Sequence, residues 1–225
     1  MAGKTIEVAQ GILDKNDRIA ARLRERYVAH KVCALNLLAG PGAGKTSTIV
    51  ATIDALKDRY RVAVIEGDIA SDVDARTVKA HGAAAVQINT GGLCHLEGDM
   101  IEQALDVLDL DQTDLIIIEN VGNLVCTVDF DLGQNLTAMI LSVPEGDDKI
   151  LKYPGIFQAA DAVVLNKLDT LPVFSFNMAA FDEGMANVNP NAPVFKLSAT
   201  SGAGVDAWVD FLVEQIEQVK GSARS

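Results

Sequence analysis

Cysteine is scarce in this chain: three residues in 225, Cys33, Cys94 and Cys126, an odd number that argues against a disulfide framework and leaves thiols available for other chemistry. Long apolar runs are missing too. None approaches the ~20 residues a bilayer-spanning helix needs, and the N-terminus Met1-Ala-Gly-Lys-Thr-Ile-Glu has no signal-peptide core, so no membrane association and a cytoplasmic location are expected. Basic charge is in deficit, with 19 Lys and Arg against 31 Asp and Glu, a formal net charge of -12. That balance disfavours non-specific binding to nucleic acid or to anionic lipid, so a polyanion such as a nucleotide has to be held by local donors. Internal repeats and low-complexity segments are absent. What remains is ordinary for a soluble globular protein, 49% hydrophobic and 22% charged, and the length suits one α/β domain with a full core.

Asn16 to His30 places Ile19, Leu23 and Tyr27 four apart with arginines between them, which predicts an amphipathic helix capped by Asn16 or Asp17. Residues 1–30 are read as a helical extension, 31–220 as the main domain and 221–225 as a flexible tail that frays from Lys220. Short, near-continuous apolar runs then recur: Val32 to Leu38, Arg61 to Glu66, Ala84 to Ile88, Asp114 to Ile118, Leu136 to Val143, Asp161 to Leu165 and Val194 to Leu197. Such runs suit strands buried on both faces. Helical patterns lie between most of them, over Lys45 to Arg59, Asp72 to His81, His95 to Leu108 and Ala179 to Ala186, with Val205 to Val219 after the last. The alternation predicts a mostly parallel, doubly wound sheet of about seven strands with helices on both faces.

Ala39-Gly40-Pro41-Gly42-Ala43-Gly44-Lys45-Thr46 follows the first apolar run and opens the first of these helices. A buried strand, a glycine-rich turn and a helix start form a phosphate-binding loop, in which backbone N–H groups face an anion. Ala39 stands where the strict pattern has its first glycine, so the match is complete only from Gly42 onward. Lys45 is expected to reach the β- and γ-phosphates of a nucleotide and the Thr46 hydroxyl to ligate Mg²⁺, with Gly40 to Ser47 wrapping the phosphates.

In a doubly wound sheet the ligand lies at the carboxyl ends of the strands. Glu66-Gly67-Asp68 puts a carboxylate, Asp68, near the expected Mg²⁺; a plain turn or cap is the other reading of that residue. Glu119-Asn120-Val121-Gly122 offers Glu119 to the metal's water shell and the Gly122 amide to the γ-phosphate. Asn166-Lys167-Leu168-Asp169 follows Ala162 to Leu165, and the Asp169 carboxylate can accept both donors of a guanine edge, which adenine lacks. Lys167 would lie along the base, and Asn166 would tie this loop to the phosphate loop. Backbone N–H groups of Ser198-Ala199-Thr200 would complete the pocket at the guanine oxygen.

Cys94-His95 and Cys126 carry donors that suit Zn²⁺ or Ni²⁺, although three ligands leave a site open; ordinary thiols and a surface histidine are the other reading. Cys126 follows Gly122 by four residues, in the segment a γ-phosphate would move. Cys33, inside the first strand, reads as core.

Gly-Pro-Gly-Ala-Gly-Lys-Thr, Ile-Glu-Gly-Asp, Thr-Gly-Gly-Leu-Cys-His, Ile-Glu-Asn-Val-Gly-Asn-Leu-Val-Cys, Val-Pro-Glu-Gly-Asp-Asp-Lys and Asn-Lys-Leu-Asp together resemble the HypB family of nickel-incorporation GTPases of NiFe hydrogenase maturation. The likeness runs from about Lys31 to Val219, within the class of P-loop proteins that includes the urease accessory GTPase UreG. Cys94 and His95 are adjacent, without the proline of the urease relatives' Cys-Pro-His, which favours the hydrogenase branch. The resemblance implies slow hydrolysis of GTP to GDP and phosphate, a homodimer promoted by nucleotide, and Ni²⁺ or Zn²⁺ at Cys94, His95 and Cys126. It also implies partners among the hydrogenase maturation proteins and the hydrogenase large subunit. Residues 1–30 hold no cysteine and one histidine, so the Cys-x-x-Cys-Gly-Cys or histidine-rich nickel store of many relatives is not expected there. A metal-binding scaffold whose dimer the nucleotide merely stabilises, a urease-type nickel GTPase and, less favoured, a small-molecule kinase are the competing functional readings.

Overall fold

The computed structural model describes residues 8–67 and 72–222. Its strands are β1 (Cys33–Ala39), β2 (Val62–Glu66), β3 (Ala84–Gln87), β4 (Leu115–Glu119), β5 (Leu136–Ser142), β6 (Ala162–Asn166) and β7 (Val194–Lys196). All pair in parallel, in the order β3-β2-β4-β1-β5-β6-β7. The helices are α1 (Val8–His30), α2 (Lys45–Leu56), α3 (Asp72–Ala80), α4 (Gly98–Leu105), α5 (Lys149–Lys152), α6 (Pro154–Gln158), α7 (Met178–Val188) and α8 (Val205–Ser222). The expected doubly wound sheet is therefore present, with β1 near its centre, where the strand order turns from one edge to the other.

Alternation along β1 shows how the layers form. Cys33, Leu35, Leu37 and Ala39 face a core completed by Ile49 and Ile53 of α2 and Trp208, Leu212 and Ile216 of α8. Burial in this layer pushes the Cys33 thiol pKa up to about 12, so it stays neutral and acts as a small apolar side chain. On the opposite face Ala34 joins a cluster with Ile19, Leu23 and Tyr27 of α1 and Ile101 and Leu105 of α4. Leu38 joins another, with Phe157 and Phe181 under α6 and α7. Asn36 falls between Ala34 and Leu38 on this face, at the seam of the two clusters.

Several boundaries differ from the sequence expectation. α1 begins at Val8, so Asn16 and Asp17, the two expected caps, both sit inside the helix; the Asn16 amide bonds Gly98 N–H and the Asp131 carbonyl instead. α4 begins at Gly98 rather than His95. The Leu96 and Gly98 N–H groups are taken by the Asn120 and Asn16 side chains, so Cys94 to Glu97 stays a loop. β3 and β7 are edge strands, and their side chains are half-buried or exposed rather than enclosed on both faces. α8 continues through Lys220, whose ammonium bonds Asp114, to Ser222; that anchor replaces the expected fraying. Residues 1–7 of the expected extension, Asp68, and 223–225 of the expected tail lie outside the described residues.

Candidate nucleotide and metal site

Ala39 ends β1 and the chain turns at Gly42 and Gly44, whose φ values of +77° and +96° lie in the left-handed region that glycine alone enters freely. α2 starts at Lys45, so its first N–H groups have no intrahelical acceptor and open onto a cleft of about 550 Å³. Pro41, Gly42, Gly44, Lys45, Thr46, Ser47, Glu119, Val121, Gly122 and Lys167 line it. Lys45 is only 8% exposed, which suits a cation held for phosphate rather than for water. The Thr46 hydroxyl donates to Glu119 Oε1 at 3.1 Å. Hydroxyl and carboxylate thus meet as two hard oxygen donors, a set that fits Mg²⁺, which would supply charge neutralisation between the phosphates when bound. Gly67 N–H donates to the Glu119 carbonyl at 2.8 Å, so the end of β2 lies beside that of β4, just before Asp68.

The residues after β6 close on the phosphate loop. Asn166 Nδ2 donates to the Ala43 carbonyl at 3.1 Å, and its Oδ1 accepts from Lys167 N–H at 2.7 Å and Ala199 N–H at 3.1 Å. A Cβ on Gly44 would stand 2.5 Å from Asn166 Nδ2, so the loop and this side chain are shaped to each other. Lys167 Nζ donates to the Gly42 carbonyl at 2.6 Å. Ser198 Oγ donates to Asp169 Oδ1 at 2.5 Å, which fixes the carboxylate at an exposed rim. Thr200 is exposed in the adjoining turn. Apart from Asp68, every residue assigned to nucleotide by sequence reasoning is therefore at the carboxyl edge of the sheet.

Glu145, quoted in a motif but given no role, belongs here. Its Oε2 accepts from Ser142 N–H and Oγ at 2.9 and 2.8 Å, and a Cβ on Gly40 would come 2.6 Å from its Oε1. Position 40 is thus hemmed in by a pinned carboxylate.

A Cβ at Gly122 would lie 3.3 Å from Lys45 Nζ and 3.4 Å from Pro41, so the segment after β4 runs against the phosphate loop. Four residues on lies Cys126, whose pKa the neighbouring Cys94 thiol, with burial adding to it, holds above the ordinary thiol range. Cys94 Sγ is 3.7 Å from His95 Nδ1, while Nε2 faces Glu97 Oε1 at 3.2 Å. The imidazole stacks on Phe130 with ring centroids 3.9 Å apart. Soft thiols and an imidazole suit Ni²⁺ or Zn²⁺. Among the described residues, however, no group of three or more His, Cys, Asp or Glu gathers as a metal's ligands would. One chain therefore presents a thiol pair with a neighbouring imidazole, and no closed site.

Sequence reasoning missed the loop-holding role of the buried asparagines Asn16, Asn36 and Asn120; a polar pair, Glu119-Asn120, after an apolar run was the available signal for Asn120. Among the described residues no helix is long and apolar enough to cross a membrane.

Comparison with known proteins follows the same lines. A model of the CobW/HypB/UreG nucleotide-binding domain matches residues 34–196. The hydrogenase maturation factor HypB of Escherichia coli is 45% identical over 212 residues, covering 94% of this chain and 73% of that protein. The crystal structure of HypB from Helicobacter pylori in complex with nickel aligns with a TM-score of 0.86 at 42% identity, over 91% of this chain and 96% of that one. HypB from Archaeoglobus fulgidus aligns with a TM-score of 0.85 at 35% identity, over 90% and 99%.

Proposed function

The chain belongs to the CobW/HypB/UreG family of nucleotide-binding proteins, and from that premise we propose that it is a GTPase metallochaperone whose nucleotide state controls nickel delivery during NiFe hydrogenase maturation. One observation carries the reading: the segment from Gly122 to Cys126 runs against the phosphate loop at one end and neighbours the Cys94 thiol at the other. A γ-phosphate that pulls Gly122 inward also moves a metal donor.

In this reading Lys45 and the loop amides from Gly40 to Ser47 hold the phosphates, and Thr46 with Asp68 and Glu119 serves Mg²⁺. Asp169 selects guanine, with Asn166, Lys167 and Ser198 to Thr200 shaping its pocket. Hydrolysis is slow, because the cleft's cationic side chains are lysines and no arginine lines it among the described residues. Cys94, His95 and Cys126 take Ni²⁺ or Zn²⁺ as cargo. A closed tetrahedral site needs four ligands, so a second copy of the chain completes it. Leu93 and Val125, 41% and 59% exposed beside the two cysteines, give that contact an apolar rim. The catalytic unit is residues 31–220, with α1 as an extension packed on α4, and the protein works in the cytoplasm with other hydrogenase maturation proteins and the hydrogenase large subunit.

Single-turnover GTP hydrolysis and nickel release followed in one sample test this. Release that keeps pace with phosphate formation is expected; complete hydrolysis with the nickel still bound would leave only a nucleotide-stabilised scaffold.

A further inference from the structure

Two buried asparagines hold the loop that carries Cys94 and His95, and only one of them reaches the nucleotide side. Asn120 is 1% exposed. Its Oδ1 accepts from Leu96 N–H at 3.3 Å and from Val121 N–H at 2.9 Å, and its Nδ2 donates to Asn36 Oδ1 at 3.1 Å. Both backbone partners are N–H donors, so the amide oxygen has to face them, which fixes the nitrogen on Asn36. A single side chain thus bonds the residue after His95, the residue before Gly122 and the strand that ends in the phosphate loop. On the far side of the same loop, Asn16 Oδ1 accepts from Gly98 N–H and its Nδ2 donates to the Asp131 carbonyl, both at 2.8 Å. That second tether joins the loop to α1 and to the chain beyond Phe130, and among the described residues it bonds none that faces the phosphate cleft.

The placement calls for an explanation beyond packing. Asn36 and Asn120 are both buried and bonded to each other, with Asn36 between Ala34 of one apolar cluster and Leu38 of the next, and a buried polar group is costly unless paired. A side chain whose hydrogen bonds are all internal transmits displacement, because moving one partner strains the others.

We propose that Asn120 is the positioning residue through which the nucleotide state reaches the metal donors: movement of Val121 and Gly122 toward a γ-phosphate shifts Asn120, and Leu96 N–H carries the shift to Cys94 and His95. This rests on the reading that nucleotide and metal sites are coupled. By the same geometry Asn16 sets where the loop sits without reporting what the nucleotide is.

The test measures nickel affinity by competition with a chromophoric chelator, at saturating GDP and at a saturating non-hydrolysable GTP analogue, for wild type, Asn120→Ala and Asn16→Ala. The thiolate-to-nickel charge-transfer band is recorded in each state. In the wild type the two affinities are expected to differ by about 5-fold or more, the usual lower range of site coupling, with distinct band positions. In Asn120→Ala the affinities and the bands of the two states are expected to converge, while each nucleotide still binds. Asn16→Ala is expected to shift both affinities together and keep their ratio. Should Asn120→Ala unfold at the assay temperature, Asn36→Ala removes the acceptor that orients the Asn120 amide and is read the same way. A wild-type ratio surviving in the Asn120 variant, or an equal loss in the Asn16 variant, overturns the relay alone. Equal affinities in the wild type overturn the coupling reading and the relay with it.

Discussion

Replacing Asn166 by alanine should damage nucleotide binding more than any other single change outside the phosphate loop itself. The amide is 1% exposed and serves three backbone groups: the Ala43 carbonyl, Lys167 N–H and Ala199 N–H. Truncation leaves all three without this partner. An unpaired buried polar group costs about 1–3 kcal/mol, and the open cleft beside this one admits water, so the low end applies to each and the sum is about 3 kcal/mol. Loosening of the loop divides that sum between two readouts. Carried entirely by global stability, it lowers the melting temperature by about 6–12 °C for a chain of this size. Carried entirely by the nucleotide-competent loop, it weakens GDP about 100-fold. Titration with a fluorescent GDP analogue and a thermal melt of the nucleotide-free protein measure both parts. A variant that binds GDP within threefold of wild type and melts at the same temperature would show that Asn166 does not join the two loops.

Lys45→Ala is expected to abolish GTP binding or turnover with the fold intact, since the side chain sits under the phosphate cleft; isothermal titration and circular dichroism check the two halves of that statement. GTP is expected to be preferred over ATP, because the Asp169 carboxylate, held by Ser198, accepts the two guanine donors that adenine lacks, and Asp169→Asn to shift preference toward xanthosine nucleotide; competition titrations that rank ATP equal to GTP would refute the guanine pocket. Burial opposes ionisation of Asp114, but hydrogen bonds from Arg61 and Lys220 outweigh it and hold the carboxyl well below the usual carboxylate range. A folded-state pKa below the unfolded one stabilises above the unfolded value of about 4 and is lost as pH falls through the folded value. Asp114→Asn should therefore melt lower than wild type at neutral pH, with the gap closing only in strongly acidic buffer; a constant gap across pH would contradict the ion pair's role.

The strands and the phosphate loop were legible because local sequence decides them. A run such as Leu115-Ile116-Ile117-Ile118 is apolar on both faces, and Gly44-Lys45-Thr46 sits where a helix must begin. Asn166 was legible for its role because its motif fixes its place at a strand end. The loop tethers were not, because Asn16 and Gly98, or Asn120 and Leu96, meet only after distant elements pack, and a lone asparagine in a helix or after a strand looks like a cap or a turn. The same cause misplaced two boundaries: Asn16 or Asp17 was read as the cap of α1 and both lie inside it, and His95 was read into α4, whose first turn the two asparagines hold back. Lys220 was read as fraying because its partner, Asp114, precedes β4 in the middle of the chain, far from the C-terminal helix in sequence.

Coupling between phosphate loop and thiol pair is measured most directly by nickel titration of the wild-type protein in GDP and in a non-hydrolysable GTP analogue, with mass followed by light scattering in the same cell. Nickel affinity that changes by about 5–150-fold between the two nucleotides, together with one metal per dimer held by Cys94, His95 and Cys126, is the expected result. Identical affinity in both states, or a full-affinity site in a strictly monomeric sample, would contradict it.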